Sequence, residues 1–117
     1  MPRQNPGEPY YRVTLDEAKE MYDQDDTVVV DVRRPDEYAQ VHVKGAIHIP
    51  VDDLLGRIEE LPEDKRLLFI CAAGVRSGLG AEMAAAMGLD SERLFNIEDG
   101  TPAWVDKGLP VSRGDEK

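Results

Sequence analysis

The only cysteine of the chain, Cys71, stands at the junction of an apolar run and a helix-forming segment. Residues 67–70 (Leu-Leu-Phe-Ile) show no polar alternation, the pattern of a strand covered on both faces. Ala81, Met83, Ala84, Ala85, Ala86 and Met87 then favour a helix that Gly88 can stop. Between the two lie Ala72, Ala73, Gly74 and Val75, followed by Arg76 and Ser77. Small residues let the backbone curl tightly and turn several N–H groups inward. A helix starting near Ser77 would aim its positive end at the sulfur, a setting that lowers a thiol pKa and makes thiolate available near neutrality. Such a thiolate is a nucleophile that needs no general base. Four residues separate Cys71 from Arg76, a ring of backbone suited to an anion or a sulfur-borne charge. The Arg76 guanidinium either faces the substrate or knits the loop carbonyls together. A lone cysteine after an apolar strand is by itself more often an inert core residue; the glycine, arginine and helix start shift the balance towards chemistry.

Other sources of chemistry in the chain are weaker. Gly78-Leu79-Gly80 has Met83 where a dinucleotide fingerprint needs glycine, and no lysine follows in phosphate-loop register. His42 and His48 lack acidic or cysteine companions at ligand spacing, so surface or loop roles are expected and no metal site. Asp31 and Arg33, at the end of a β-branched run, read as a structural polar pair. Trp104 reads as core, or as a wall of the pocket. One cysteine excludes an internal disulfide, a paired-cysteine redox motif and a cysteine-rich metal site.

The elements that must position Cys71 follow from periodicity and punctuation. Residues 1–9 hold three prolines and are expected to form a flexible arm, mobile or ordered on contact. A short strand over 10–13 leads into Thr14-Leu15-Asp16-Glu17, a capping box that opens a helix to about Asp23. Residues 27–32 predict a central parallel strand, and Pro35 opens a short helix. A strand over 46–49 precedes an amphipathic helix over 51–60, in which Leu54, Leu55, Ile58 and Leu61 have helical spacing. A strand within 91–97 is followed by the Asp99-Gly100 turn and a last helix that Thr101 caps. Strands alternate with helices, so the class is α/β with a mainly parallel sheet, whose sites lie at the carboxyl ends of strands. The expected organisation is one domain over 10–113 with a charged tail over 114–117. A formal net charge of −10, with pI about 4.6, argues against nucleic acid or an anionic membrane as the main partner. The first residues lack an apolar leader, so cytoplasmic residence is expected.

Three blocks of the chain together resemble the single-domain rhodaneses, a family of sulfurtransferases. Residues 29–38 and 42–50 resemble the family's amino-terminal signature, Cys71 to Ser77 its active loop, and Gly100 to Trp104 with 108–111 its carboxy-terminal signature. The resemblance implies the rhodanese-like fold, a central, mainly parallel sheet of about five strands flanked by helices. It also implies a sulfur relay: Cys71 takes a sulfane sulfur from a donor such as thiosulfate or a persulfide, and an acceptor removes it. The acceptor would be cyanide, a small thiol or a protein thiol. Backbone N–H groups of Ala72, Ala73, Gly74, Val75 and Ser77 would hold the persulfide charge, with Arg76 beside them and no metal or organic cofactor. Asp31, Arg33, Asp99, Gly100 and Trp104 would support the site. Asp99 replaces the first glycine of the family's usual pair, and at the pocket mouth its charge would oppose an anionic donor. A phosphatase of the same fold is disfavoured by the four-residue gap, since those relatives have one more residue to surround a phosphate. A non-enzymatic interaction module of the family typically lacks the cysteine. Oligomeric state stays open.

Overall fold

The computed structural model describes residues 2–117. In chain order the elements are β1 (Tyr11–Val13), α1 (Leu15–Tyr22), β2 (Thr27–Asp31), α2 (Pro35–Gln40), β3 (His42–Val43), β4 (Ile47–His48), β5 (Arg66–Ile70), α3 (Val75–Ala86), β6 (Leu94–Ile97), α4 (Gly100–Asp106) and β7 (Val111–Ser112). Five strands form one sheet in the order β1-β6-β5-β2-β4, all neighbours parallel. The expected α/β class and five-stranded parallel sheet are therefore present. A second, antiparallel pair joins β3 to β7, which the sequence pattern does not announce.

The unbroken apolar run of β5 divides between two cores. Leu67, Phe69 and Cys71 pack with Val30, Leu94 and the α3 residues Ala81 and Ala84. Leu68 and Ile70 pack on the other face with Val29, Phe95, Ile97, the α1 residues Leu15, Ala18 and Met21, and Trp104 of α4. Side chains alternate across a strand, so the phase that buries Leu67 and Phe69 beneath α3 also carries Cys71 there. The same phase on β6 puts Asn96 with Leu94 on the α3 side, against the apolar pattern of its neighbours.

Differences from expectation have local causes. The Thr14–Glu17 capping box forms, and α1 begins one residue after Thr14. Segment 51–60 is not an α-helix but two 3-10 segments, Val51–Asp53 and Leu55–Glu60. Gly56 weakens any α-helix there, and the chain leaves helical geometry at Arg57 (φ −127°, ψ 19°). Buried Leu54 and Leu61, with half-buried Val51 and Ile58, recur at intervals of three and four that 3-10 turns satisfy. The proline-rich arm makes contact at Arg3, whose backbone forms an antiparallel bridge with Arg12 of β1 and whose side chain pairs with Glu98; Met1 lies outside the described residues. The charged tail folds back: the Gly114 N–H donates to the Ala39 carbonyl and Ser112 Oγ to the Lys117 carbonyl.

That return buries His42, which is no surface residue. It lies fully inside, with Nδ1 2.8 Å from the Tyr38 carbonyl and Nε2 against the Glu116 carbonyl. Tyr38 stacks on both His42 and His48, at centroid separations of 3.6 and 4.2 Å.

Candidate active site

Cys71 follows the last residue of β5 and is 1% exposed. The loop after it is short because Gly74 adopts φ +85° and turns the chain into α3 at Val75, two residues before the expected helix start. That conformation suits glycine, and a Cβ there would also lie 2.8 Å from the Glu98 carbonyl oxygen. The turn aims the Gly74 N–H at Sγ, 3.1 Å away. Ser77, fully buried on the first turn of α3, places Oγ 3.3 Å from Sγ. Burial pushes the Cys71 thiol up, but the Ser77 side chain and the N–H groups of Ser77, Ala73 and Gly74, which can hydrogen-bond a thiolate, outweigh it. The net effect lowers the thiol below its ordinary value.

The turn between β6 and α4 backs the loop. The Thr101 N–H and hydroxyl both donate to the Cys71 carbonyl, at 2.8 and 3.2 Å. Gly100 has φ +80°, and a Cβ on it would lie 2.1 Å from the Ala72 carbonyl oxygen, so only glycine allows this approach. Asp99 does not face the sulfur. Its exposed carboxylate turns to the start of α1, where Oδ2 accepts from the Leu15 N–H at 2.9 Å, so the expected charge at the pocket mouth is corrected to a helix cap.

Arg76 takes neither orientation expected of it. Its guanidinium forms a two-pronged pair with Glu37 of α2, at 2.6 and 3.0 Å. Glu37 also accepts from the Arg34 N–H at 3.1 Å, which sets the carboxylate against the first turn of α2. The Arg76 hydrogen bonds, helped by Arg34, hold the Glu37 carboxyl at about 2 despite partial burial. The Arg76 charge acts on the Cys71 thiolate through space while it stays tied to Glu37.

Asp31 and Arg33 meet as expected. Asp31 is fully buried and Arg33 is 5% exposed, joined by contacts of 2.7 to 3.1 Å. Arg33 also donates to the Val41 carbonyl at 2.7 Å, so the pair fixes both ends of α2, which in turn carries Glu37. Trp104 is buried on the sheet face opposite Cys71, and its Nε1 donates to the Pro110 carbonyl at 2.8 Å; it is core, not pocket wall. Ala73 and Val75 are exposed on the loop's outer side and Ala72 is half-buried. An open groove of about 370 Å³ adjoins Ala72 between α2 and α4, lined by Arg33, Glu37, Val41, Thr101 and Pro102.

Two residues of this site escaped sequence reasoning. Glu37 lay inside a recognised block, but its partner is 39 residues away. Asn96 was visible only as a polar residue in an apolar strand. Its Oδ1 accepts from the Ser77 hydroxyl and its Nδ2 donates to the Gly74 carbonyl at 3.1 Å. Among the described residues no group of three or more His, Cys, Asp or Glu side chains is placed to hold a metal ion.

The sequence matches the model of the Rhodanese-like domain family over residues 14–107. It is 30% identical to a protein named Sulfurtransferase from Allochromatium vinosum, over 80% of this chain and 86% of that one. With YrkF of Bacillus subtilis it shares 30% identity over 81% of its own length, but spans only about half (51%) of that longer relative. A rhodanese-related protein from Thermoplasma volcanium superimposes with a TM-score of 0.76 at 29% identity, covering 86% of this chain and 96% of that one.

Proposed function

The chain belongs to the rhodanese-like domain family, and from that premise we propose that it is a sulfurtransferase that carries sulfane sulfur on Cys71. The observation that supports this reading is the sulfur's setting: a thiol of lowered pKa, faced by the Gly74 N–H and the Ser77 hydroxyl at the N-terminus of α3. In the first step the Cys71 thiolate attacks the outer sulfur of thiosulfate. A sulfur–sulfur bond forms to Cys71, the bond to the sulfonate sulfur breaks, and sulfite leaves with its electron pair. The product is a persulfide anion, held by the same inward N–H groups that favour the thiolate. In the second step cyanide or a thiolate attacks the terminal sulfur, and Cys71 departs as thiolate. A persulfide donor serves the first step equally, with a thiolate as leaving group. Cys71 is the only thiol of the chain, so the acceptor comes from outside the chain.

The test is intact-mass measurement after incubation with thiosulfate, followed by cyanide. The expected result is a gain of one sulfur atom on the wild type, lost on cyanide addition, and no gain on Cys71→Ser. Sulfur transfer retained by Cys71→Ser, or a wild type that takes up no sulfur from thiosulfate or from an alkyl persulfide, overturns the proposal.

A further inference from the structure

The direction of the hydrogen bonds behind Cys71 is fixed by one group. The Gly74 carbonyl can only accept, so the Asn96 atom 3.1 Å from it is the amide nitrogen. Oδ1 therefore faces Ser77, and Oδ1 can only accept, so the Ser77 hydroxyl must donate to it. A hydroxyl has one proton. Committed to Asn96, Ser77 offers only lone pairs to Sγ, 3.3 Å away. That arrangement suits a thiol, whose S–H donates to Oγ, and it opposes a thiolate. Once the thiol proton has gone to solvent, the hydroxyl must turn about its C–O bond to face the sulfur. Asn96 Oδ1 then loses its donor at a residue only 2% exposed.

We propose that Asn96 is a positioning residue that sets the ionisation of Cys71 through Ser77, whose hydroxyl donates to Asn96 opposite a thiol and to Sγ opposite a thiolate or persulfide. Asn96 competes with the sulfur for the single Ser77 proton. The purpose of this competition rests on the reading of Cys71 as the sulfur carrier. It would make the charged states of Cys71 dependent on the inward N–H groups first and on the hydroxyl only after it turns.

The charged and titratable groups around the loop are Arg76 with its partner Glu37, Asp31 and Arg33 at the end of β2, the Tyr10 hydroxyl near Gly78, and Arg12, Glu82 and Glu98 beside Gly74. All of them are kept in the variants below. The loop also keeps its other anchors, since the Gly78 N–H donates to the same Gly74 carbonyl at 3.3 Å.

The experiment is the pH dependence of iodoacetamide alkylation, followed by mass spectrometry on folded protein. Cys71 is the only thiol, so the rate reports its thiolate alone, whether or not the protein transfers sulfur. Removing the competing acceptor in Asn96→Ala is expected to lower the Cys71 pKa by about one unit, the size of one buried unsatisfied acceptor. Ser77→Ala should raise it, and Asn96→Ala should then have little further effect. If Asn96 merely braced the loop, its loss would raise the pKa in both backgrounds, and that result, or no change, overturns the proposal. Should Asn96→Ala not fold, Asn96→Asp decides. A rise in pKa that shrinks when Ser77 is alanine supports the competition, and a rise of equal size in both backgrounds refutes it. Failure of sulfur uptake with the expected alkylation profiles would remove the proposed function and leave this inference standing.

Discussion

Replacing Glu37 by glutamine tests whether the Arg76 pair holds the active loop. The substitution keeps the shape of the side chain and one oxygen that can accept from the Arg34 N–H and from Arg76, and it removes the charge and turns the second acceptor facing Arg76 into an amide donor. The Glu37 carboxyl is held at about 2 instead of 4.5. A depression of that size corresponds to about 3 kcal/mol at full strength. The two side chains are 21% and 30% exposed, and solvent screening reduces the expected contribution to about 1–2 kcal/mol. The sign follows from linkage. A carboxylate with a depressed folded pKa contributes its full stability above the unfolded value, and loses it as pH falls through the folded value. Urea unfolding should therefore show Glu37→Gln less stable than wild type by about 1–2 kcal/mol at pH 7. The gap should narrow from about pH 5 downwards and be mostly closed near pH 2. With its anchor gone, Arg76 is free to leave the loop, and sulfur transfer should fall by about three- to tenfold in kcat/KM, the equivalent of about 1 kcal/mol in the transition state. A stability difference that is absent at pH 7, or that stays constant down to pH 3, would refute the reasoning.

Gly74→Ala should cost about 2 kcal/mol or more, because it combines a left-handed backbone with a Cβ against the Glu98 carbonyl, and should nearly abolish sulfur uptake; denaturant midpoints and intact mass check both parts. Asp99→Ala should lose about 0.5–2 kcal/mol as a lost helix cap while leaving the KM for thiosulfate nearly unchanged; a several-fold fall in KM would return the carboxylate to the donor's path. The rate of sulfur uptake should rise with pH through the Cys71 pKa and level off above it, with its midpoint below that for alkylation of the same thiol in the urea-unfolded chain. Single-turnover rates between pH 5 and 9 test this, and a midpoint at or above that value counts against the loop as the cause. Trp104→Phe should destabilise by about 1–3 kcal/mol through the lost bond to Pro110 and lost packing, with the alkylation profile of Cys71 unmoved, since Trp104 lies across the sheet.

Sequence reasoning reached the parts of this fold that are written locally. The run ending at Ile70 had to be a doubly covered strand, and Thr14 with Glu17 had to open a helix. The small residues after Cys71 had to form a tight turn. Those signals depend on neighbours within a few positions. The pairings that complete the site do not: Arg76 meets Glu37 and Ser77 meets Asn96 only after three parallel strands have set their spacing. Arg76 was left with two orientations and took a third, because nothing local records an acidic partner on another helix. Asp99 was misdirected for the same reason, its true partner being the Leu15 N–H at the start of α1. The burial of His42 needed the tail beyond β7 to return across α2, and no local pattern in 112–117 announces that course. The segment 51–60 failed differently: its spacing satisfied a helix on paper, but Gly56 and the break at Arg57 favoured tighter turns.

The bridge between Arg3 and Arg12 has a consequence for how the protein behaves when concentrated. A parallel sheet ends in two strands whose outer backbone groups are open to any other chain that can lie alongside. At one end stands β4, only two residues long and too short to template much. At the other stands β1, and there the Arg3 N–H and carbonyl already occupy the outward groups of Arg12, with the Arg3 side chain clamped to Glu98. The amino-terminal segment thus acts as a selvedge, closing the weave where a second copy could otherwise be stitched on. Removing it would leave the outward backbone groups of Arg12 open to the strand of another chain.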